Sequence, residues 1–166
     1  PVAARKLDPE NNRLELEAVF RGALGRADVI VVCGGLGPTD DDLTRDAVAS
    51  VLGRPLREDP AIVERIRQRF AFRGVRMPEV NRRQAEVPEG AVVLENRNGT
   101  APGLWIAHDG RLVVLLPGPP SELKPMFERV VEERLAPLVG AERVYRRAVL
   151  TCGRTESELE EVTFPV

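Results

Sequence analysis

A short apolar run that ends in a glycine-rich loop most constrains the fold of this chain. Residues 28–33 read Asp-Val-Ile-Val-Val-Cys, and a β-branched run of this kind is typical of a strand that is covered on both faces. The loop Gly34-Gly35-Leu36-Gly37-Pro38-Thr39 follows without a spacer. A buried strand that leads through a tight turn into a helix is the unit of α/β folds, so we predict that class.

Helical and strand patterns alternate through the rest of the chain. Thr39 and Asp42 have the spacing of a capping pair and begin a predicted helix that ends near Leu52. Asp109-Gly110 lies between two apolar runs, which predicts a hairpin turn. The other predicted helices are Leu14–Leu24, Pro60–Arg73 and Ser121–Leu135, with a helical turn at Pro78–Gln84, and the predicted strands are Asp28–Cys33, Ala91–Leu94, Gly103–Ala107, Arg111–Leu116 and Tyr145–Thr151. We therefore expect a three-layer α/β/α sandwich whose sheet is mostly parallel, with one antiparallel hairpin.

Composition excludes several classes of partner. The net charge is -2, from 24 basic and 26 acidic residues, so neither a nucleic-acid-binding arm nor a basic membrane patch is indicated. No apolar run approaches the ~20 residues that span a bilayer. Cys33 and Cys152 form no disulfide framework, and with His108 they make no zinc ligand set; we expect a buried Cys33, a His108 in the hairpin turn, and a cytoplasmic protein. Because the chain begins at Pro1 without Met and stops at Val166, we expect a longer parent protein.

The glycine loop has the composition of an anion-binding turn. Glycine permits positive φ, so that successive N–H groups can converge, and a following helix adds the positive end of its dipole. A Walker A loop is excluded because no Gly-Lys-Ser/Thr follows, and the dinucleotide fingerprint fails because Asp40 stands where its third glycine belongs. A tight turn without a ligand stays open as the structural alternative.

Three consecutive carboxylates follow the loop. Asp40, Asp41 and Asp42 are favoured at a helix N-terminus on electrostatic grounds alone. Beside a bound phosphate, however, an unscreened carboxylate at ~4 Å costs several kcal/mol at an intermediate dielectric. The pattern therefore predicts a bridging divalent cation with oxygen ligands, which would be magnesium, manganese or cobalt.

At this point the sequence resembles a known family. Residues 34–44, Gly-Gly-Leu-Gly-Pro-Thr-Asp-Asp-Asp-Leu-Thr, are similar to the signature of the CinA (competence/damage-inducible) proteins. Further segments agree with the family in order and spacing: 81–85, 98–103, 116–122 and 155–159. The family's opening strand, with its Gly-Glu and Asn-Thr-Asn segments, has no counterpart. The resemblance thus implies a ligand-binding domain over residues 1–150 that lacks this strand, and the start of a linker at 151–166.

The resemblance implies a fold and an activity. Relatives of the molybdenum-cofactor-biosynthesis type bind molybdopterin or its adenylylated form, and CinA-type members resemble metal-dependent pyrophosphatases that act on ADP-ribose. Full-length members often add an amidase domain. The family is usually oligomeric, as dimers in CinA and as trimers in the molybdopterin relatives. A nucleotide or pterin phosphate is the implied ligand.

The same resemblance assigns roles to residues of this chain. Asp41 and Asp42 would hold metal or position water, Arg83 would neutralise a second phosphate, and Asp8 is a loose match to a family aspartate. The ligand-binding residues that it implies are Gly34, Gly35, Leu36, Gly37, Pro38, Thr39 and Thr44 in the first loop, Gly99, Thr100 and Pro102 in a second, and Gly118, Pro119, Ser121 and Glu122 in the opposite wall.

Three functions compete at this stage. The first is metal-dependent hydrolysis of a nucleotide pyrophosphate resembling ADP-ribose. The second is non-hydrolytic binding of a pterin or nucleotide, against which the low aromatic content of 4%, with Trp105 as the only tryptophan, is a mild argument. The third is a scaffold domain that supports oligomerisation. Release of AMP from ADP-ribose would separate the first function from the others.

Overall fold

A four-stranded sheet forms the centre of the computed structural model, which describes residues 13–138, 152–153 and 155–163. The strand order is β1-β6-β5-β4. The strands are β1 (Val29–Cys33), β4 (Val92–Leu94), β5 (Gly103–His108) and β6 (Arg111–Leu116). β1 and β6 are parallel, whereas β5 pairs antiparallel with both β6 and β4. The predicted α/β class and antiparallel hairpin are confirmed, and the parallel part of the described sheet is the β1–β6 pair.

Helices cover this sheet on both sides. The α-helices in the described part of the chain are α1 (Arg13–Leu24), α2 (Thr44–Val51), α3 (Pro60–Phe72), α4 (Pro120–Val130), which continues as a π-helical turn (Val131–Leu135), and α5 (Glu156–Thr163). Val113 and Leu115 of β6 pack with α1 and α2, while Val114 and Leu116 pack with Met126 of α4. Because side chains alternate along a strand, the all-apolar run of β6 supplies both cores. The predicted three-layer sandwich is confirmed.

A second, two-stranded sheet lies beside α3. β2 (Leu56–Glu58) pairs antiparallel with β3 (Glu86–Pro88), and a 3₁₀ segment (Glu79–Ala85) precedes β3. Ile62, Val63 and Ile66 of α3 pack on this unit. As predicted, α3 begins after Asp59, whose side chain accepts a hydrogen bond from the N–H of Ala61 at 2.8 Å. The sequence analysis missed β2 and β3 because three residues are too few to show a period.

The prediction that β1 is covered on both faces is wrong. Ile30 is buried, but Val29 and Val31 on the opposite face are 41% and 40% exposed. β1 is an edge strand of the described sheet, and the buried residues that pack with α4 come from β6. Cys33 is likewise exposed, so the expectation of a buried thiol is also wrong.

Two helix starts differ from their predictions. α2 begins at Thr44, two residues after Asp42, and its N-cap residue Leu43 has no side-chain capping bond. α4 begins at Pro120, with Pro119 at the N-cap position, so the side chain of Ser121 is not the cap. The predicted strand over 145–151 lies outside the described residues, and the division of the chain at residue 150 stays a prediction. Residues 156–163 of the predicted linker are helical, as α5.

Candidate ligand-binding site

Three turns meet at one edge of the central sheet. Because β1 and β6 are parallel, the segments that follow them open at the same edge, and we call these the glycine loop (residues 34–43) and the proline turn (residues 117–121). The N–H of Gly34 donates to the carbonyl of Leu116 at 2.9 Å, which joins the two. The Asn loop (residues 96–102) enters antiparallel β5 at this edge. Such an edge is where α/β proteins bind ligands.

The first half of the glycine loop has the backbone of an anion-binding turn. Gly34 and Gly35 have φ of 90° and 67°, a region that favours glycine. A Cβ at Gly35 would clash with the hydroxyl of Thr44 and lie 2.9 Å from its Cβ. Within residues 13–138, the N–H groups of Gly35, Leu36 and Gly37 donate to no protein acceptor. These three N–H groups are therefore unpaired in this part of the chain, and Gly35 and Gly37 are partly exposed.

The second half of the loop is closed by its own carboxylate. The N–H and the hydroxyl of Thr39 donate to Oδ2 of Asp42, at 3.0 and 2.6 Å. The predicted Thr39–Asp42 pair thus exists, but it closes a turn ahead of α2 instead of starting the helix. A Cβ at Gly37 would lie 2.8 Å from Cγ of Asp42, so only glycine admits this carboxylate. An incoming phosphate would have to displace Asp42 to reach the Thr39 donors.

Asp41 stays ionised at the rim of the loop. A hydrogen bond from the Thr39 hydroxyl, followed by one from its own backbone N–H, lowers the pKa of Asp41 below its ordinary value. The Thr39 hydroxyl has one proton, so Asp41 and Asp42 compete for it, and the 2.6 Å distance favours Asp42. Asp41 is exposed to solvent at this rim.

A buried arginine lies beneath the glycine loop. Arg45 of α2 is 1% exposed, and its Nη1 donates to the carbonyl of Leu36 at 3.4 Å. Its Nε and Nη2 are also buried and have no partner among the described residues. Burial lowers the pKa of Arg45, since the charged form loses its hydration. This cation supports the loop from the protein side, and the sequence analysis did not single it out.

Arg83 is brought to the same loop from the 3₁₀ segment. Its Nη1 donates to the carbonyl of Thr39 at 2.9 Å. Its guanidinium pairs with Asp46 at 3.2 Å and with Asp40 at 3.6 Å. Arg83 is therefore not a free surface arginine, and two carboxylates already balance its charge.

Asn96 holds the Asn loop in shape. Its Oδ1 accepts from the N–H groups of Asn98 and Gly99, at 3.0 and 2.8 Å. Its Nδ2 donates to the carbonyl of Ala101 at 2.8 Å and to Oε2 of Glu122 at 2.6 Å. The buried amide thus uses two acceptor and two donor positions, its full capacity.

A proline in α4 joins the Asn loop to the proline turn. Pro125 has no N–H, so the carbonyl four residues earlier, at Ser121, loses its helical donor. Nδ2 of Asn98 donates to that carbonyl at 2.6 Å. Glu122 packs so closely on Gly99 that a Cβ there would clash with the carboxylate. The loop is thereby fixed to the first turns of α4.

Comparison with known proteins identifies the family. Residues 4–137 match the model of a family described as Probable molybdopterin binding domain. The crystal structure of the protein CinA, of unknown function, from Thermoplasma acidophilum is 33% identical with a TM-score of 0.66, and covers 74% of this chain and 71% of that chain. The chain belongs to the CinA-type molybdopterin-binding domain family. The predicted membership of the CinA family is confirmed.

Relatives of this CinA-type domain are longer proteins. A relative from Symbiobacterium thermophilum, named as a competence-damage inducible protein, is 50% identical over 154 residues, which is 91% of this chain and 36% of the relative. A CinA-like protein from Solibacter usitatus is 43% identical over 156 residues, 94% of this chain and 38% of the relative. The chain thus spans about a third of the length of these curated relatives. None of the helices described could cross a membrane.

The site of this CinA-type domain gathers most of the residues that the sequence singled out, but not all of them face outward. Leu36 and Thr44 are 2% and 6% exposed and anchor the glycine loop, and Pro102 is buried at the start of β5. Thr100 and Ser121 are accessible at the edge, whereas Asp8 lies outside the described residues. Further predicted residues at this edge are Pro38, Gly118, Pro119 and Glu122, all at least partly exposed.

The sequence analysis missed the residues that hold the loops from behind. Asn96 precedes the matched segment 98–103, and its Asn-x-Asn-Gly context is typical of a turn, which could have indicated it. Arg45 and Arg69 lie in helical segments with ordinary arginine patterns. Nothing in their spacing distinguishes them from solvated side chains.

Proposed function

We propose that this domain binds a phosphate-bearing pterin or nucleotide in the cleft between the glycine loop, the Asn loop and the proline turn. The observation that carries the proposal is the set of three unpaired N–H groups at Gly35, Leu36 and Gly37, beside two parallel strand ends. Unpaired backbone donors in a glycine-rich turn favour a phosphate. The family description supports a molybdopterin-type ligand.

Replacing one glycine should separate ligand binding from folding. A Cβ at Gly34 would have room, since the nearest atom, Cα of Gly118, is 3.9 Å away, but it would stand between the two turns. We expect Gly34→Ala to weaken binding of ADP-ribose or molybdopterin at least about tenfold, which is about 1.4 kcal/mol. Isothermal titration calorimetry measures the affinity.

Gly74→Ala is the matched control for this variant. Gly74 has φ of 70° and open space around its Cβ position, so alanine pays the same backbone strain there, away from the cleft. Both variants should lose about 1 kcal/mol of unfolding free energy. Equal affinities of the two variants for every phosphate ligand tried would refute the proposed site.

A second candidate function is metal-dependent hydrolysis of the ligand's pyrophosphate. The observation that favours it is the exposed, ionised Asp41 at the rim of the loop. In such a reaction water attacks one phosphorus, the bridging P–O bond breaks, and two phosphate monoesters leave, with two protons released when both products are dianions. The loop N–H groups would stabilise charge on the phosphoryl oxygens.

The residues present fit a cation only when a ligand completes its coordination. No three His, Cys, Asp or Glu side chains in the described residues are grouped to hold a metal ion. Asp41 is exposed and its pKa is lowered by hydrogen bonds, so we propose this carboxylate as the first protein ligand. Magnesium and manganese are commonly bound by one or two carboxylates together with substrate phosphate. Such an ion would neutralise charge between Asp41 and phosphate.

An assay with ADP-ribose and Mn²⁺ distinguishes the two functions. If the domain hydrolyses pyrophosphate, AMP appears, and Asp41→Asn should slow its release about a hundredfold because an anionic metal ligand is lost. Asp109→Asn is the control, because it removes a carboxylate from the exposed hairpin turn. Asparagine tolerates the φ of 47° at this position, so the rate of AMP release should not change. If the wild type binds ADP-ribose tightly but releases no AMP, hydrolysis is excluded and only the binding function stands.

The remaining family features are part of the same proposal. We propose that the protein forms a dimer or trimer and works in the cytoplasm, where two unpaired cysteines, Cys33 and Cys152, would stay reduced. Size-exclusion chromatography with light scattering measures the oligomeric state.

A further inference from the structure

One guanidinium on α3 reaches the back of the Asn loop. Nη1 of Arg69 donates to the carbonyls of Asn96 and Gly99 at 3.2 and 2.8 Å, and Nη2 donates to the carbonyl of Arg97 at 2.6 Å. Three carbonyls within four residues thus converge on a single cation. Bonds of this kind to a charged donor are roughly twice as strong as neutral ones.

Arg69 and Asn96 between them bind six polar backbone groups of the loop. Asn96 takes the N–H groups of Asn98 and Gly99 and the carbonyl of Ala101, while Arg69 takes the carbonyls named above. Thr100 takes part in none of these bonds: neither its hydroxyl nor its N–H makes a hydrogen bond to any described residue. The loop is thus held by Arg69 and Asn96, and the Thr100 hydroxyl is left without a partner among the described residues.

We propose that Arg69 is a positioning residue that presents Thr100 as the ligand-contacting residue of the Asn loop. The contact between Thr100 and a ligand rests on the proposed function. The positioning of the loop by Arg69 rests on the hydrogen bonds alone. Without the guanidinium, three carbonyls would lose their shared donor and repel one another, so the turn would open. Arg69 binds the loop through its carbonyls, and Thr100 supplies its hydroxyl and N–H to phosphate or sugar oxygens of the ligand.

Hydrogen exchange tests the positioning role without any ligand. In Arg69→Met, exchange of the Asn98 and Gly99 amides should accelerate at least about tenfold, because their bonds to Asn96 depend on the closed turn. Arg67→Met is the matched control: it lies on the same helix and loses only an exposed ion pair with Glu64. Arg69→Lys keeps the charge but not the planar fork of N–H donors, so its amide exchange rates should lie between those of the wild type and those of Arg69→Met. Unchanged exchange in Arg69→Met would overturn the positioning role.

Affinity for ADP-ribose tests the contact role. Thr100→Val, which removes the hydroxyl at nearly constant volume, should weaken binding about tenfold while leaving amide exchange of the loop unchanged. Arg69→Met should reduce affinity and accelerate exchange together. Wild-type affinity in Thr100→Val would overturn the contact role. If the wild type binds neither ADP-ribose nor molybdopterin but exchange still accelerates in Arg69→Met, the proposed function fails and the positioning role stands.

Discussion

Gly35→Ala should destabilise the protein by about 3 kcal/mol and abolish ligand binding. Two costs add at this position. The φ of 67° is about 1 kcal/mol less favourable for alanine, and the new Cβ would clash with the hydroxyl of Thr44 and approach its Cβ to 2.9 Å and its backbone nitrogen to 3.2 Å. Thr44 is 6% exposed and opens α2, so it can move only with the helix.

Urea unfolding of a matched set separates those two costs. Gly53→Ala and Gly74→Ala carry positive φ of 63° and 70° with no atom within 4 Å of the Cβ position, so each should lose only about 1 kcal/mol. Gly35→Ala combined with Thr44→Ser removes the threonine methyl group but keeps the clashing hydroxyl, and should recover little. Thr44→Ala removes both and should recover more. If Gly35→Ala were no worse than Gly74→Ala, the packing of the loop on α2 would be wrong.

Features that depend on neighbouring residues in the chain were predictable. The β-branched run of β1, the Asp59-Pro60 helix start and the Asp109-Gly110 hairpin turn each follow from local preferences, and the turn residues have φ of 47° and 76° as such a hairpin requires. The parallel pairing of β1 with β6 then places the glycine loop beside the proline turn. The candidate cleft could therefore be anticipated from the ends of two strands.

Features that depend on contacts between distant segments were not predictable. The exposed face of β1 depends on which strands α4 covers, and the apolar sequence alone does not show that. The Thr39–Asp42 pair obeys capping spacing but closes a separate turn, because Leu43 comes before the first residue of α2. In the sequence, Arg69 resembles a solvated helical arginine. Its carbonyl partners lie 27 to 30 residues later in the chain, and only the packing of α3 against the Asn loop brings them together.

Asn96→Asp should be a second severe substitution, and its cost should depend on pH. The change replaces the donor that bonds the Ala101 carbonyl and Glu122, so one buried carbonyl loses its partner and two carboxylates face each other. An uncompensated buried charge costs about 3 kcal/mol or more. Asn98→Asp makes the same chemical change at an exposed position and should lose less than about 1 kcal/mol, since only the bond to Ser121 is lost.

The sign of the pH dependence follows from the pair of carboxylates. Burial and the charge of Glu122 would raise the pKa of the new Asp in the folded state above its unfolded value. A raised folded pKa means that the variant is closest to wild type in stability below the unfolded pKa, and loses stability as pH rises through the folded one. Unfolding free energies from urea at about pH 5 and about pH 8 should therefore differ more for Asn96→Asp than for wild type.

A double-mutant cycle identifies Glu122 as the origin of this effect. Glu122→Gln in the Asn96→Asp background restores a donor facing an acceptor with the polarity of the bond reversed, and removes one of the two charges. Part of the lost stability should return while the Ala101 carbonyl stays without its donor, and the excess pH dependence should shrink, although Glu122→Gln alone destabilises the wild type. A coupling energy of at least about 1 kcal/mol is expected for groups in direct contact. Additive effects in the two variants would mean that Asn96 and Glu122 do not share the 2.6 Å bond by which the Asn loop is held to α4.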